Sequence, residues 1–180
     1  MKLVMLDRDG VINKDSEHFI KSPDEWFALP GSLEAIRLLN EKNRIVAVIT
    51  NQSGIARGLF SLETLKNIHQ KLQDELAKIG GHVDGIFYCP HGPDDHCDCR
   101  KPKAGLLRQA LAQFSVSPPY ACMVGDSIRD IQAATTAQCE PILVLSGNGE
   151  KTWADNKEHL KGIQVYKDLM DFTQQRIMKE

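Results

Sequence analysis

The sequence predicts an α/β protein in which a mostly parallel central sheet lies between two layers of helices. Short apolar runs rich in β-branched residues recur along the chain and alternate with segments of helical spacing. Strands that alternate with helices indicate parallel pairing, and uniformly apolar strands indicate burial on both faces of the sheet. We therefore expect a Rossmann-like three-layer sandwich.

The apolar runs are predicted as buried strands because they are short and rich in β-branched residues. They lie at residues 3–6, 45–49, 86–88, 121–124 and 142–145, with a weaker run at 163–166. Helical spacing predicts helices at residues 31–42, 61–79, 103–114 and 127–137. The last stretch, residues 168–180, is predicted as a terminal helix or a frayed tail.

Composition indicates one globular domain over residues 1–180. Apolar residues make up 42% of the 180 positions and charged residues 26%, which is neither a disordered nor a fibrous composition. The apolar runs are too short to span a bilayer, and the strand-like segment directly after Lys2 does not fit a signal peptide. We expect a cytoplasmic protein and, without a visible coiled coil or long apolar surface, a monomer.

The overall charge argues against polyanionic partners. A net charge of -2 and an isoelectric point near 6.3 give no general attraction to nucleic acids or membrane surfaces. Any anionic ligand must therefore be held by local groups.

Polar residues suited to ligand binding follow several predicted strands directly. Asp7 and Asp9 come after the first strand, Thr50 and Asn51 after the second, and Asp126 after a later one. Because ligands bind at the carboxyl ends of parallel strands, these segments are expected to converge. The DRDG segment alone is more often a turn with surface acids, but two such close carboxylates also suit Mg²⁺, which prefers oxygen and bridges to phosphate.

The cysteines predict a structural zinc site within residues 89–99. Three of the five cysteines crowd into one segment, which does not resemble a disulfide framework. The candidate zinc ligands, spaced C-x-H-x5-C-x-C, are Cys89, His91, Cys97 and Cys99. A closed set of this kind leaves no open position for catalysis. Cys122 and Cys139 are predicted as buried packing residues.

Four segments occur in a distinctive order: LDRDGVIN, VITNQSG, RKPK and MVGDSIRD. Together they resemble the motifs of the haloacid dehalogenase (HAD) superfamily of phosphohydrolases. The resemblance covers roughly residues 1–150, and the joint occurrence is far more specific than any single motif. It implies the HAD fold and a Mg²⁺-dependent phosphatase that forms an aspartyl-phosphate.

The same resemblance implies a role for each matching residue. Asp7 would attack phosphorus, and Asp9 would act first as general acid and then as general base. Thr50 would donate a hydrogen bond to the phosphoryl group, and Lys101 would neutralise its charge. Asp126 would complete the Mg²⁺ site with a side-chain oxygen of Asp7 and the backbone carbonyl of Asp9.

Two further residues, Asp130 and His96, have more than one interpretation. Asp130 could support the metal site indirectly, or it could simply be an acid favoured in the first turn of a helix. His96 competes with His91 as a zinc ligand, and the family resemblance favours His91.

Substrate specificity is expected to come from loops. Many HAD enzymes carry an inserted cap domain, but this chain has no room for one, so no cap domain is predicted. The substrate-binding candidates lie after the DxD segment, after the second strand and beside the zinc loop: Asp15, Ser16, Glu17, His18, Asn51, Gln52, Ser53, Arg57, Arg100 and Lys101.

The motifs are similar to those of heptose-bisphosphate phosphatases in the histidinol-phosphatase-like subfamily. The shared segments are LDRDGVIN, TNQSGIARG, CPH followed by CDCRKP, and MVGDS. This resemblance implies a small phosphorylated sugar as substrate, in the pathway that supplies the lipopolysaccharide core. A bisphosphate needs a second anion site, for which Arg57 and Arg100 are candidates.

Other functions remain open at the level of sequence. Histidinol-phosphate phosphatases of histidine biosynthesis share the DxD pair and a similar zinc loop, and the acidic loop at residues 15–18 could bind a cationic substrate. A non-catalytic, zinc-stabilised binding module is a hypothesis from a different class. A phosphomutase is less compatible, because without a cap water should intercept the aspartyl-phosphate.

Overall fold

Six parallel strands form the sheet that the sequence predicts. The computed structural model describes residues 1–179, so the last residue of the predicted C-terminal segment, Glu180, lies outside the described residues. In chain order the strands are β1 (Leu3–Leu6), β2 (Ile45–Asn51), β3 (Gly85–Cys89), β4 (Ala121–Gly125), β5 (Glu140–Val144) and β6 (Gln164–Tyr166). Their order in the sheet is β3-β2-β1-β4-β5-β6.

Helices connect the strands, and the four predicted helices are confirmed. Ser61 caps the helix Leu62–Lys78 by accepting a hydrogen bond from the Thr64 amide. A further helix, Gly149–Asp155, was not predicted, because its seven residues are too few to show helical periodicity. The helices are α1 (Ser32–Glu41), α2 (Leu62–Lys78), α3 (Gly105–Gln113), α4 (Ile128–Thr136), α5 (Gly149–Asp155) and α6 (Leu169–Phe172).

The C-terminal segment is helical and packed against the core. A π-helical turn, Thr173–Ile177, continues directly from α6. Phe172 and Ile177 are completely buried in the same apolar cluster as α1 and α2. The helix alternative is therefore confirmed up to residue 177, and a frayed tail is wrong there.

Alternate residues of each central strand pack on opposite sides of the sheet. In β1, Val4 and Leu6 contact the layer that contains α1, α2 and α6, whereas Leu3 and Met5 contact the layer of α3 and α4. This alternation follows from the two-residue period of a strand. It confirms the three-layer sandwich. Cys122 and Cys139 are buried packing residues, as predicted.

The topology places the end of β1 at the position where ligands bind in open α/β sheets. The chain runs outwards from β1 to β2 and β3, and then returns to place β4 on the other side of β1. A crevice forms where the strand order reverses, outside the carboxyl ends of the strands. Among residues 1–179, no helix is long and apolar enough to cross a membrane.

Candidate active site

Asp7 and Asp126 lie side by side because β1 and β4 are neighbours. The Asp7 amide donates to the Val124 carbonyl at 2.9 Å, so the register of the two strands continues to the site. Gly10 then turns the chain with φ +83°, and a Cβ there would lie 2.0 Å from Oδ2 of Asp126. Only glycine allows both this backbone conformation and this close approach.

Lys101 is the cation at the centre of the site. Its Nζ lies 2.9 Å from Oδ2 of Asp7 and 2.6 Å from Oδ1 of Asp130. The same ammonium donates to the Ile49 carbonyl at 2.8 Å, so all three of its donors have partners. The Lys101 side chain is only 2% exposed, which requires such pairing because an isolated buried charge is costly.

A backbone clamp fixes Lys101 against β2. The Asn51 side-chain amide donates to the Lys101 carbonyl at 3.0 Å, and its Oδ1 accepts from the Lys101 amide at 3.0 Å. Asn51, predicted as a substrate-binding residue, therefore already uses both ends of its amide to hold the lysine.

Three carboxylates form a possible cation site. One oxygen each from Asp7, Asp126 and Asp130 can be grouped within 4.8 Å. Burial, and then the negative charge of Asp130, raise the pKa of Asp126 to about 7. Burial also raises the pKa of Asp7, although Lys101 opposes this effect.

The charge balance of this cluster fits Mg²⁺. Three ionised carboxylates against one ammonium leave a formal surplus of two negative charges. A divalent, oxygen-preferring cation would neutralise that surplus and lower the raised pKa values. The donor set present in the chain therefore fits the metal.

The contacts of Asp130 are compatible with both interpretations raised by the sequence. Its Oδ2 accepts from the Ser127 amide at 3.0 Å and from the Ser127 hydroxyl at 2.6 Å, which forms part of a capping box at the start of α4. Its Oδ1 pairs with Lys101. The residue thus stabilises the helix and also holds the central cation.

Asp9 occupies a different environment from the other carboxylates. Its side chain accepts two hydrogen bonds from Nη2 of Arg8, at 2.9 and 3.0 Å, and one from Nε at 3.2 Å. Asn13 and Gln52 donate to it at 2.8 and 3.0 Å. Burial alone would raise the pKa of Asp9, but Arg8 and these donors outweigh burial and lower it. The Asp9 carboxylate is therefore kept ionised and lies outside the three-carboxylate cluster.

Arg8 is a functional neighbour that the sequence reasoning missed. Its side chain is 1% exposed, and Nη1 lies 3.4 Å from Nε2 of His69. Burial, and then the charge of Arg8, lower the pKa of His69 to about 3, so this ring is neutral beside the guanidinium. The available signal was a basic residue inserted between two aspartates at the end of a buried strand.

A cavity of about 290 Å³ opens above these residues. Thr50 lies at its base, where its hydroxyl accepts a hydrogen bond from Gln52 at 2.9 Å. Among the predicted site residues, those that line the cavity are Asp7, Asp9, Asp15, Ser16, Thr50, Asn51, Gln52, Ser53, Arg57, Arg100, Lys101 and Asp126. Glu17 and His18, also predicted to bind substrate, are exposed and do not line this cavity.

Two further lining residues, Asn148 and Arg129, were not among the predicted site residues. The backbone amide of Asn148 donates to Asp126 at 2.8 Å and its side-chain amide donates to Asp15 at 2.8 Å, so Asn148 links the carboxylate cluster to the first loop. Arg129 reaches the cavity from the first turn of α4. Asn148 lies outside the recognised motifs, whereas Arg129 lies within the MVGDSIRD segment, where the motif comparison assigned it no role.

The four predicted zinc ligands lie together beside this cavity. Nδ1 of His91 is 3.6 Å from Sγ of Cys89 and 3.3 Å from Sγ of Cys99, and Sγ of Cys89 is 3.6 Å from Sγ of Cys97. The group of potential ligand atoms contains His91 and not His96. A Cys₃His set of this compactness suits tetrahedral zinc.

Comparison with known proteins adds a consistent set of relatives. The sequence model of the HAD-hydrolase-like family matches residues 98–172. The chain is 51% identical over 179 residues to the D-glycero-beta-D-manno-heptose-1,7-bisphosphate 7-phosphatase of Bordetella bronchiseptica, with 99% of each chain covered. It is 49% identical to the protein of the same name from Pseudomonas aeruginosa, with 93% of each chain covered.

Solved structures agree with these relatives. The crystal structure of D,D-heptose 1,7-bisphosphate phosphatase from B. bronchiseptica, complexed with magnesium and phosphate, superimposes with a TM-score of 0.95 at 51% identity and full coverage of both chains. The corresponding enzyme of Burkholderia thailandensis gives a TM-score of 0.75 at 40% identity, covering 98% of this chain and 99% of that one.

The raised pKa of Asp126 predicts a pH effect on the metal-free protein. Asp126 has a folded-state pKa of about 7 against an ordinary value of 3.8, so between these values the folded protein holds a proton that the unfolded chain releases. The stability contributed by this group is therefore present at low pH and lost as pH rises towards 7. The asparagine of Asp126→Asn does not titrate, so the free energy of unfolding of this variant should fall less as pH rises from about 4 to about 7.

Urea unfolding in a chelator at about pH 5 and about pH 7.5 measures the difference. Added Mg²⁺ at the higher pH should stabilise the wild type more than the variant. An equal change in the free energy of unfolding of the two proteins between these pH values would contradict the raised pKa of Asp126.

Proposed function

The chain belongs to the D-glycero-beta-D-manno-heptose-1,7-bisphosphate 7-phosphatase family, and we propose that it hydrolyses the C7 phosphate of that sugar bisphosphate. The observation that carries the proposal is the cluster of Asp7, Lys101 and Asp126 at the end of β1, in a chain 51% identical to a named relative over nearly its whole length. The reaction would proceed through an aspartyl-phosphate.

Asp7 is the proposed nucleophile. It lies at the base of the cavity, and Lys101 holds its carboxylate at 2.9 Å and would also neutralise charge on an incoming phosphoryl group. A carboxylate nucleophile divides the hydrolysis into two easier displacements. Thr50, completely buried at the end of β2, would donate its hydroxyl hydrogen to a phosphoryl oxygen.

Asp9 is proposed to move the protons. Ionised and held by Arg8 and Gln52, it is ready to accept a proton from the water that hydrolyses the aspartyl-phosphate. Its acid role in the first step requires the carboxyl group to leave Arg8 and gain a proton. The acid role would therefore use a second conformation of the Asp9 side chain, in which the carboxyl group lies away from Arg8.

The proposed magnesium ligands are side-chain oxygens of Asp7 and Asp126 and the backbone carbonyl of Asp9, with Asp130 supporting them through Lys101. When bound, Mg²⁺ would neutralise charge on the phosphoryl oxygens and help to orient them. Asn148, which donates to Asp126, and Gly10, which lets Asp126 approach, would hold the site in shape.

Zinc is proposed as a structural ion held by the Cys₃His cluster. The cluster encloses the loop directly before Arg100 and Lys101, and Nη1 of Arg100 donates to the His91 carbonyl at 3.3 Å. The zinc would therefore fix the direction from which both cations enter the cavity. It would take no part in hydrolysis, because its four ligands leave no open position.

Further proposals concern the context of the enzyme. Residues 1–180 would act as one domain, as a monomer, in the cytoplasm. The product would enter the heptose pathway of the lipopolysaccharide core, as the family resemblance implies.

Phosphate release tests the proposed function. Purified protein with Mg²⁺ should hydrolyse heptose 1,7-bisphosphate in strong preference to histidinol phosphate. Asp7→Asn should reduce kcat by at least about a thousandfold because it removes the nucleophile. Asp74→Asn, an exposed change on α2, is the matched control and should retain activity.

Preference for histidinol phosphate would retain the mechanism and overturn the substrate. No release from either compound by Mg²⁺-loaded protein would instead support a non-catalytic binding module.

Metal analysis tests the zinc assignment. Purified wild type should contain about one zinc per chain. His91→Ala should lose most of this zinc and unfold at lower temperature, because His91 belongs to the ligand group. His96→Ala should keep the wild-type zinc content and the wild-type unfolding temperature, because His96 does not belong to that group. Loss of zinc from His96→Ala with retention in His91→Ala would reverse the assignment.

A further inference from the structure

A second cavity adjoins the active-site cavity on the side of the zinc loop. Its volume is about 380 Å³, and it lies between the loop and the start of α4. Arg100, Lys101 and Arg129 line both cavities, so the two spaces meet at these side chains. The space is therefore accessible to a ligand whose reacting end lies at Asp7.

Apart from Cys97 of the zinc cluster, the ionisable side chains that line this second cavity are basic. Arg100, Lys103 and Arg129 line it, and its lining contains no Asp or Glu. The nearest counter-charge to Lys103 is Asp98, at 3.4 Å, whose side chain is fully exposed and outside the lining. Such a space favours an anion and disfavours a cationic group.

Arg129 differs from the other cations in having no partner. Lys103 donates to the Cys97 carbonyl at 2.7 Å, and Arg100 donates to the His91 carbonyl at 3.3 Å. Within residues 1–179, the Arg129 guanidinium has no hydrogen bond or ion pair. Its five N–H donors are therefore available to a ligand.

We propose that Arg129 is a specificity-determining residue, which binds the second, non-reacting phosphate of the substrate in the cavity between the zinc loop and α4. The planar guanidinium can grip a phosphate with two parallel hydrogen bonds, and Arg100 faces the same space. This inference rests on the proposed function, because it requires a substrate with two phosphates.

The placement favours this side of the site over Arg57. The Arg57 guanidinium lies 5.8 Å from the centre of the Phe19 ring, where it makes a cation–π contact on the loop that follows the DxD segment. Arg57 lines only the first cavity, which also contains the carboxylates Asp9 and Asp15. The second cavity offers an anion several cations and no competing aspartate or glutamate.

The test compares two substrates on the same variants. Heptose 1,7-bisphosphate and heptose 7-phosphate present the same reacting phosphate, and only the former carries the second anion. Arg129→Gln should raise KM for the bisphosphate about tenfold, as expected for a lost charge-assisted hydrogen bond, and leave kcat within about twofold. The kinetics of the 7-phosphate should not change.

Arg108→Gln is the matched control, because Arg108 is an exposed arginine on α3 that lines neither cavity. It should leave both substrates unaffected. Arg129→Lys should recover part of the loss, since the charge returns without the planar fork.

The outcomes separate this inference from the proposed function. If wild type prefers the bisphosphate but Arg129→Gln keeps that preference, or only Arg57→Gln loses it, the role of Arg129 is overturned while the function stands. An equal loss on both substrates would also overturn it, because that result indicates a disturbed catalytic centre. Failure of the wild type to hydrolyse the bisphosphate would overturn both.

Discussion

The buried ion pairs of Lys101 with Asp7 and Asp130 are the constraint on which the site depends. Each of the two carboxylates, and the lysine, would be costly to bury alone. The three segments that carry them must therefore pack against one another in the folded protein. Asp7 follows β1 directly and Asp130 lies in the first turn of α4, so the sheet determines the positions of both residues. Lys101 lies at the end of a loop, and the hydrogen bonds of Asn51 and the Cys₃His cluster hold that loop in place.

Neighbouring groups give chemically identical side chains opposite protonation preferences. Burial raises the pKa of Asp7 and that of Asp126, where an oxygen-preferring cation would reverse the effect. Asp9 lies two residues from Asp7, yet Arg8 and its amide donors lower its pKa. Pairs of carboxyl groups whose surroundings push their pKa values apart are typical of sites that need both a nucleophile and a proton-transfer group.

The fold and the centre of the site could be predicted because they depend on local patterns. Apolar strands alternating with helices determine the parallel sheet, and the strand ends then bring Asp7, Thr50 and Asp126 to one edge. Asn148 could not be predicted, since its contacts join segments far apart in sequence. Arg129 lies within the recognised MVGDSIRD segment, but its position beside the zinc loop depends on the folded structure. Residues Glu17 and His18 show the converse limit: sequence proximity to a substrate loop does not make a residue line the cavity.

The stereochemical course at phosphorus tests the covalent role of Asp7 most directly. A substrate whose reacting group is a phosphorothioate made chiral with two oxygen isotopes, hydrolysed in water of the third isotope, releases chiral thiophosphate that reports whether configuration is retained or inverted. Attack by Asp7 followed by attack of water is two in-line displacements, each of which inverts, so the account predicts overall retention. Overall inversion would mean that water attacks the substrate directly, and would contradict the aspartyl-phosphate and the role assigned to Asp7.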